Sequence, residues 1–144
     1  SAQEVVGFID QYVSVPEGGV DWKLFAQTKS IPYEYTDEDG REAQGVRPEF
    51  PEELNALNGE RVILQGYMFP LLAQEDQTVF LFGPFPASCP YHYHVGPALV
   101  IETYGRGEID FSYDAITLEG RLELIPREDN YNVFYRLHDS VVMN

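Results

Sequence analysis

The chain is short of soft and cationic side chains. Among 144 residues it has one cysteine, Cys89, three histidines, one tryptophan, Trp22, and nine lysines and arginines. A lone cysteine excludes an intramolecular disulfide. Nine basic residues against 24 acidic ones give a formal net charge of −15. The few basic residues are too scattered to form a phosphate-binding stripe, which makes nucleic acid and anionic membrane surfaces poor candidates as partners. A cation, a basic protein or a neutral ligand suits the charge. No apolar run reaches the roughly 20 residues of a spanning helix, so no membrane span is expected. Gly-x-Ser-x-Gly, a Gly-rich phosphate loop and His-Glu-x-x-His are also missing. Carboxylates are so numerous that chance pairs carry no catalytic message. The chain opens SAQEVV, with neither a methionine nor a signal peptide, and this opening leaves the compartment open.

What is present argues for a packed β-rich domain. Apolar residues make up 44% and aromatic residues 14%, with ten tyrosines and nine phenylalanines. The length suits a single domain over 1–144, with an acidic arm and short helix in 1–60 and barrel strands in 61–144. The first part carries 13 acidic and 4 basic residues and many turn signals, such as PEGG at 16–19 and TDEDG at 36–40. VDWKLFA, 20–26, is short enough for helix or strand and pins the arm through Trp22, Leu24 and Phe25. Residues 31–46 read as an exposed hairpin or loop. FPEELNALNG, 50–59, reads as a short helix with Pro51 in its first turn and Glu52 and Glu53 at its positive end.

The second part is written in strands. RVILQGYMF, 61–69, alternates Val62, Leu64 and Gly66 against Ile63, Gln65 and Tyr67. QTVFLFG (77–83), PALVIETYG (97–105), a short edge strand EIDFSY (108–113), AITLEGRLELIP (115–126) and YNVFYRLHDSVV (131–142) complete the set. Five or six short strands with Gly and Pro turns predict a small barrel or sandwich. Gly66 and Gly120, inside strands, permit the curvature of a small barrel.

From Gln77 to Ile101 there is no charged residue, counting histidine as neutral. Gly83, Pro84, Pro86, Pro90, Gly96 and Pro97 break this stretch, so it reads as strand, rigid loop, strand. A rigid loop loses little entropy on binding. It carries SCPYHYH, 88–94. If this part is extended, His92 and His94 face one way and Tyr91, Tyr93 and Val95 the other. With Cys89 this makes Cys-x2-His-x-His, a donor set that suits zinc or copper and not calcium or magnesium. Three ligands leave a fourth to be found in water, His138, Met68 or a carboxylate such as Glu102. Asp139 or Asp110 would support it from behind. Two other readings stand beside this one. In a metal-free binding module the histidines are structural and the aromatic loop 82–95 contacts a protein or small molecule. In a cysteine-dependent hydrolase, Cys89 pairs with a nearby histidine.

Two phrases carry a family resemblance. LNGERVILQGYMFPL, 57–71, resembles the L-x-G-x-x-V-x-x-x-G-Y/F-M-x-P-L phrase of the bacterial family called domain of unknown function 3299. VFLFGPFPASCPYHYHVGP, 79–97, resembles its next phrase, a hydrophobic strand followed by Ser-Cys-Pro-aromatic-Cys and Gly-Pro. VDWKLFAQTK, RPEFPEELNALNG and ITLEGRLELI with the tyrosine-rich 131–137 resemble the remaining parts. The resemblance implies an exported, periplasmic or lipid-anchored protein with a small OB-like barrel, often found beside transport systems, some of them suspected of handling metals. A transport-system protein would then be a partner. Cys89 matches the family's first cysteine. His92 stands where many members have the second, which exchanges one metal-ligand type for another and excludes a Cys-x-x-Cys redox pair.

The expectation is therefore a mostly β protein: a small OB-like barrel with a short helix and an irregular amino-terminal arm. Its function is expected to be periplasmic binding of zinc or copper as carrier, chaperone or sensor. Cys89, His92 and His94 would hold the ion, with His138 or Met68 as further candidates.

Overall fold

The fold was obtained as a computed structural model that describes residues 2–71, 76–89, 95–130 and 132–143. Strands β3 (Arg61–Pro70), β4 (Asp76–Gly83), β5 (Ile101–Asp110), β6 (Ile116–Leu124) and β7 (Tyr135–Met143) close into a barrel in the order β3-β4-β5-β7-β6. Every neighbouring pair is antiparallel except β5 and β7, which run parallel. This is the OB-like barrel that the family resemblance implies; the strand count had left barrel and sandwich open.

Inside the barrel the period-2 pattern decides what is buried. Val62, Leu64 and Met68 on β3 and Leu118, Leu122 and Leu124 on β6 face the core. Gly66 marks a change of partner along β3. Residues 61–66 pair with β6, ending at Gly66↔Ile116, and residues 67–70 pair with β4, beginning at Tyr67↔Gly83. A side chain at Gly66 would place its Cβ 2.7 Å from the Gly83 carbonyl oxygen. The strand bends where only glycine fits.

Two strand expectations are corrected. PALVIETYG and EIDFSY are not separate strands: Ile101–Asp110 is continuous, and Pro97–Leu99 forms a 3-10 turn ahead of it. Gly105-Arg106-Gly107 looks like a break in sequence but folds as a tight kink, in which a Cβ on Gly105 would lie 2.3 Å from the Gly107 carbonyl oxygen. The last strand starts at Tyr135, four residues later than the sequence pattern suggests.

Because β4 pairs only with the second half of β3, the first half is left with a free edge. The carbonyls of Ile63 and Gln65, two residues apart, share one edge of the strand. The amino-terminal arm satisfies both. The Val20 amide donates to Ile63 O at 2.8 Å, and the Trp22 indole donates to Gln65 O at 2.6 Å. Trp22 stands in a short helix, α2 (Trp22–Phe25), capped by Asp21, whose carboxylate accepts from the Lys23 amide. Its ring packs at a tilt on Phe25 and Phe82. Leu54, from the helix α3 (Glu52–Asn55), is fully buried in the same apolar cluster. Ahead of these, the short helix α1 (Ala2–Val5) and a 3-10 turn at Val6–Gln11 contribute Ala2, Val5 and Ile9 to it. The arm is thus more ordered than expected.

Strands β1 (Lys29–Thr36) and β2 (Glu42–Glu49) form the exposed hairpin expected at 31–46. It docks on the β6–β7 connection. The Tyr33 hydroxyl donates to the Asp129 carboxylate, the Tyr35 hydroxyl donates to Asp129 O, and the Arg127 guanidinium lies 4.3 Å from the Tyr33 ring centroid. Hydrogen bonds from Arg127 and Tyr33 hold the Asp129 carboxyl below the usual carboxylate range. Arg127 sits on the same loop, so the Tyr33 bond is the part tied to docking. A carboxylate whose bound-state pKa is depressed favours docking above the free-state value of about 3.9 and loses that contribution as pH falls through the lower value. Once exchange is corrected for its intrinsic slowing toward acid, the protection of amides in β1 and β2 is therefore expected to fall as pH drops from 6 to about 3. Tyr33→Phe should flatten this response; an unchanged response would assign it to other groups.

Candidate functional site

Phe85 and Cys89 are the described anchors at the head of the 84–96 loop. Phe85 is buried and meets Tyr12 edge-on at 5.4 Å. The Cys89 amide donates to Pro86 O at 2.9 Å, closing a turn. Cys89 is a free thiol, 4% exposed. Beyond the described gap, Val95 is buried, and Gly96 adopts φ 63°, ψ −177°, a conformation essentially restricted to glycine. Pro97 then starts the 3-10 turn that buries Ala98 and Leu99. Both described ends of the loop are therefore pinned to the core. His92 and His94, with Pro90, Tyr91 and Tyr93, lie outside the described residues.

Burial raises the Tyr67 phenol above its ordinary range, and the Asp114 carboxylate adds to the shift. The Tyr67 hydroxyl donates to Tyr12 O at 2.7 Å, which ties the arm to β3. Met68, the next residue on the strand, faces the barrel interior and is 3% exposed. Met68 and Cys89 both belong to the buried apolar cluster.

His138 has described partners of its own. It lies on the outer face of β7, which neighbours β5 and β6 but not β3. Its Nε2 is 2.8 Å from Glu123 Oε1, and its ring stacks on Tyr104 with a 5.3 Å centroid separation and a 10° interplanar angle. Beside it, the Arg136 guanidinium donates to Glu102 at 2.8 Å, and the Tyr104 hydroxyl donates to the same carboxylate. Glu102, the carboxylate considered as a fourth ligand, is thus held in a nearly buried ion pair. Asp139 accepts from Arg61 and Arg106, and Asp110 faces Asp76. Among the described residues no group of three His, Cys, Asp or Glu side chains is placed to hold a metal ion. The described histidine engages Glu123 rather than Cys89, so no Cys–His dyad forms among the described residues.

Sequence reasoning did not single out the Tyr104–His138–Glu123 and Glu102–Arg136 cluster across β5, β7 and β6. Its signal was available: Glu102 and Tyr104 alternate on one strand, and Arg136 and His138 on another. What was missing was the strand order that brings them together.

The fold and these surfaces define a small five-stranded OB-like barrel sealed along one seam by its own amino-terminal arm. Among solved structures, the chain is similar to a DUF3299 family protein of Pseudomonas aeruginosa, with a TM-score of 0.50 and 20% sequence identity over 67% of this chain and 68% of that chain. This likeness gives the fold, and the protein that shares it is of the family that the phrases at 57–71 and 79–97 resemble. No protein-family model and no curated protein matches the chain. No described helix is long and apolar enough to cross a membrane.

Proposed function

We propose that the chain binds a soft or borderline transition metal, zinc or copper, in the periplasm as a carrier, chaperone or sensor, with Cys89, His92 and His94 as its ligands. The observation that carries this reading is Cys89 itself: a buried free thiol held by a turn at the head of a loop whose described ends are fixed. Thiolate with imidazole is a donor set for zinc or copper. Met68, buried in the same apolar cluster as Cys89, and His138, whose described partner is Glu123, stand as further candidates for the fourth ligand. Export to the periplasm, by a free or lipid-anchored precursor, is supported by the resemblance to the DUF3299 family. A transport-system protein is the natural recipient of a carried ion. The ligands would supply coordination at about 2.0–2.3 Å and leave one position for water or an exchanging partner ligand.

Titration of the demetallated protein with Zn²⁺ and with Cu⁺ tests this. One ion per chain is expected, with a Cu⁺–thiolate or Co²⁺–thiolate absorption band. Both uptake and band should be lost in Cys89→Ser/His92→Ala. Unchanged stoichiometry and affinity in that variant would remove the loop as the site. A metal-free binding module is the second reading. It is favoured by His138, which already has a carboxylate partner as a structural histidine would.

A further inference from the structure

The barrel has two seams where strand pairing stops short. The β3–β4 seam is filled by the arm, as described above. The second lies between β5 and β7, whose parallel register runs from Glu102↔Arg136 to Gly105↔Ser140. There the kink at Gly105–Gly107 turns β5 away, and its last residues pair with β4 through Gln77↔Ile109 and Asp76↔Asp110. On the other side Val141, Val142 and Met143 pair with β6. Between the diverging strands lies a cleft of about 670 Å³, bordered among the described residues by β5, β7, the start of β6 and Phe111–Ser112.

The walls of this cleft fit an extended chain. Ile109, Phe111, Ile116 and Val142 give it an apolar floor and side. Val142 is 43% exposed, and Met143 beside it is exposed as well. Tyr113, 84% exposed, packs edge-on against Phe111 at 4.7 Å and extends the apolar rim. The backbone edge of Val141–Met143 away from β6 faces the opening. An edge of this kind pairs readily with another strand.

The charge around it selects the occupant. Arg106, the basic residue of the lining, is held by Asp139 through Nε at 2.9 Å and Nη2 at 3.0 Å. Glu108 is exposed on the rim. Asp110 and Asp76 face each other across β4 and β5, close enough to share a hydrogen bond, which raises the Asp110 carboxyl above its usual range. A lysine or arginine between these carboxylates would relieve their repulsion. A second copy of this chain would bring another −15 of charge to an acidic rim and is disfavoured.

We infer that the β5–β7 cleft receives an extended, basic segment of a partner protein, which adds as a strand along the open edge of β7. Main-chain hydrogen bonds would supply affinity, and alternate side chains would fill the apolar wall and meet Glu108, Asp110 and Asp76. The inference does not depend on metal binding by the 84–96 loop.

A fluorescein-labelled decapeptide of alternating lysine and valine is the probe, read by anisotropy and by amide shifts of the labelled protein. Saturable binding at one site is expected, with shifts at Gly105–Ser112 and Val141–Met143. The backbone N-methylated peptide and the alternating glutamate–valine peptide should each bind at least about tenfold more weakly. Glu108→Lys, an exposed change, should weaken the lysine–valine peptide by about tenfold with an unaltered circular dichroism spectrum. Absence of saturation, equal binding of either control peptide, or shifts outside the cleft would overturn the inference. So would concentration-dependent self-association in sedimentation that Val142→Lys abolishes, since the cleft would then belong to a second copy.

Discussion

Replacing Trp22 with alanine is expected to lower the unfolding free energy by about 3–5 kcal/mol. Two effects act together. The indole is 2% exposed and fills space against Phe25 and Phe82, so its removal leaves a cavity in the layer between arm and barrel. The same change orphans the Gln65 carbonyl on the edge of β3 that β4 has left, where the indole N–H now donates at 2.6 Å. A buried acceptor left without its donor costs about 1–3 kcal/mol. Trp22→Phe separates the two, because it keeps most of the ring and loses the donor, and its cost should fall in that lower range. Urea unfolding followed by circular dichroism measures both, since the variants lack the tryptophan fluorescence signal. A Trp22→Ala variant within about 1 kcal/mol of the parent would mean that the arm is a decoration and not part of the barrel wall.

This dependence of the barrel on its arm was only partly legible in the sequence. VDWKLFA announced an anchor, because Trp22, Leu24 and Phe25 are large apolar residues in an otherwise acidic stretch. Nothing local said that the anchor would be a substitute strand partner. That follows from β3 changing partner at Gly66, a consequence of register between segments far apart in the chain. The alternating strands RVILQGYMF and AITLEGRLELIP were readable because one face is buried and period 2 is strict. The hairpin was readable from TDEDG, where the Asp37 carboxylate accepts from the Asp39 and Arg41 amides and Gly40 takes φ 77°. The continuity of β5 was not, since Gly-x-Gly in a strand looks like a turn until the pairing on either side is known.

The candidate site divides along the same line. The inward direction of Met68 was already implied by the alternation that places Val62, Leu64 and Gly66 inside. His138 needed the topology. The pattern of Tyr135 and Leu137 turns it outward, but only the order β5-β7-β6 shows that Glu123 and Tyr104 await it there. The charge-free run from Gln77 to Ile101 also has a packing cause that composition alone did not give. Phe80, Phe82, Phe85, Leu99 and Ile101 are all buried, and a charge at these core positions would be left without water or partner.

Gly120→Val is the second large effect expected, a loss of about 1–3 kcal/mol from overpacking. Its cause lies on the neighbouring strand. Between Glu119↔Val141 and Arg121↔His138 the register of β6 and β7 shifts, and the extra residue is Asp139 at φ 51°. Aspartate tolerates this left-handed conformation better than most residues. Its carboxylate accepts from Arg61 of β3 and Arg106 of β5, which secures the bulge from both sides. The bulge breaks the period-2 alternation, so Leu137 and Ser140, three residues apart, both turn inward. They meet opposite Gly120, where an added Cβ would lie 2.6 Å from Leu137 Cγ, 2.6 Å from Ser140 Oγ and 3.0 Å from His138 O. The backbone oxygen cannot give way, whereas the leucine side chain can be shortened. Leu137→Ala in the same chain should therefore recover part of the loss, and the double variant should be more stable than the sum of the two single changes requires, by about 0.5–3 kcal/mol. Strict additivity in urea unfolding would show that the space at Gly120 is not set by Leu137, and that the bulge at Asp139 does not shape the barrel interior in this way.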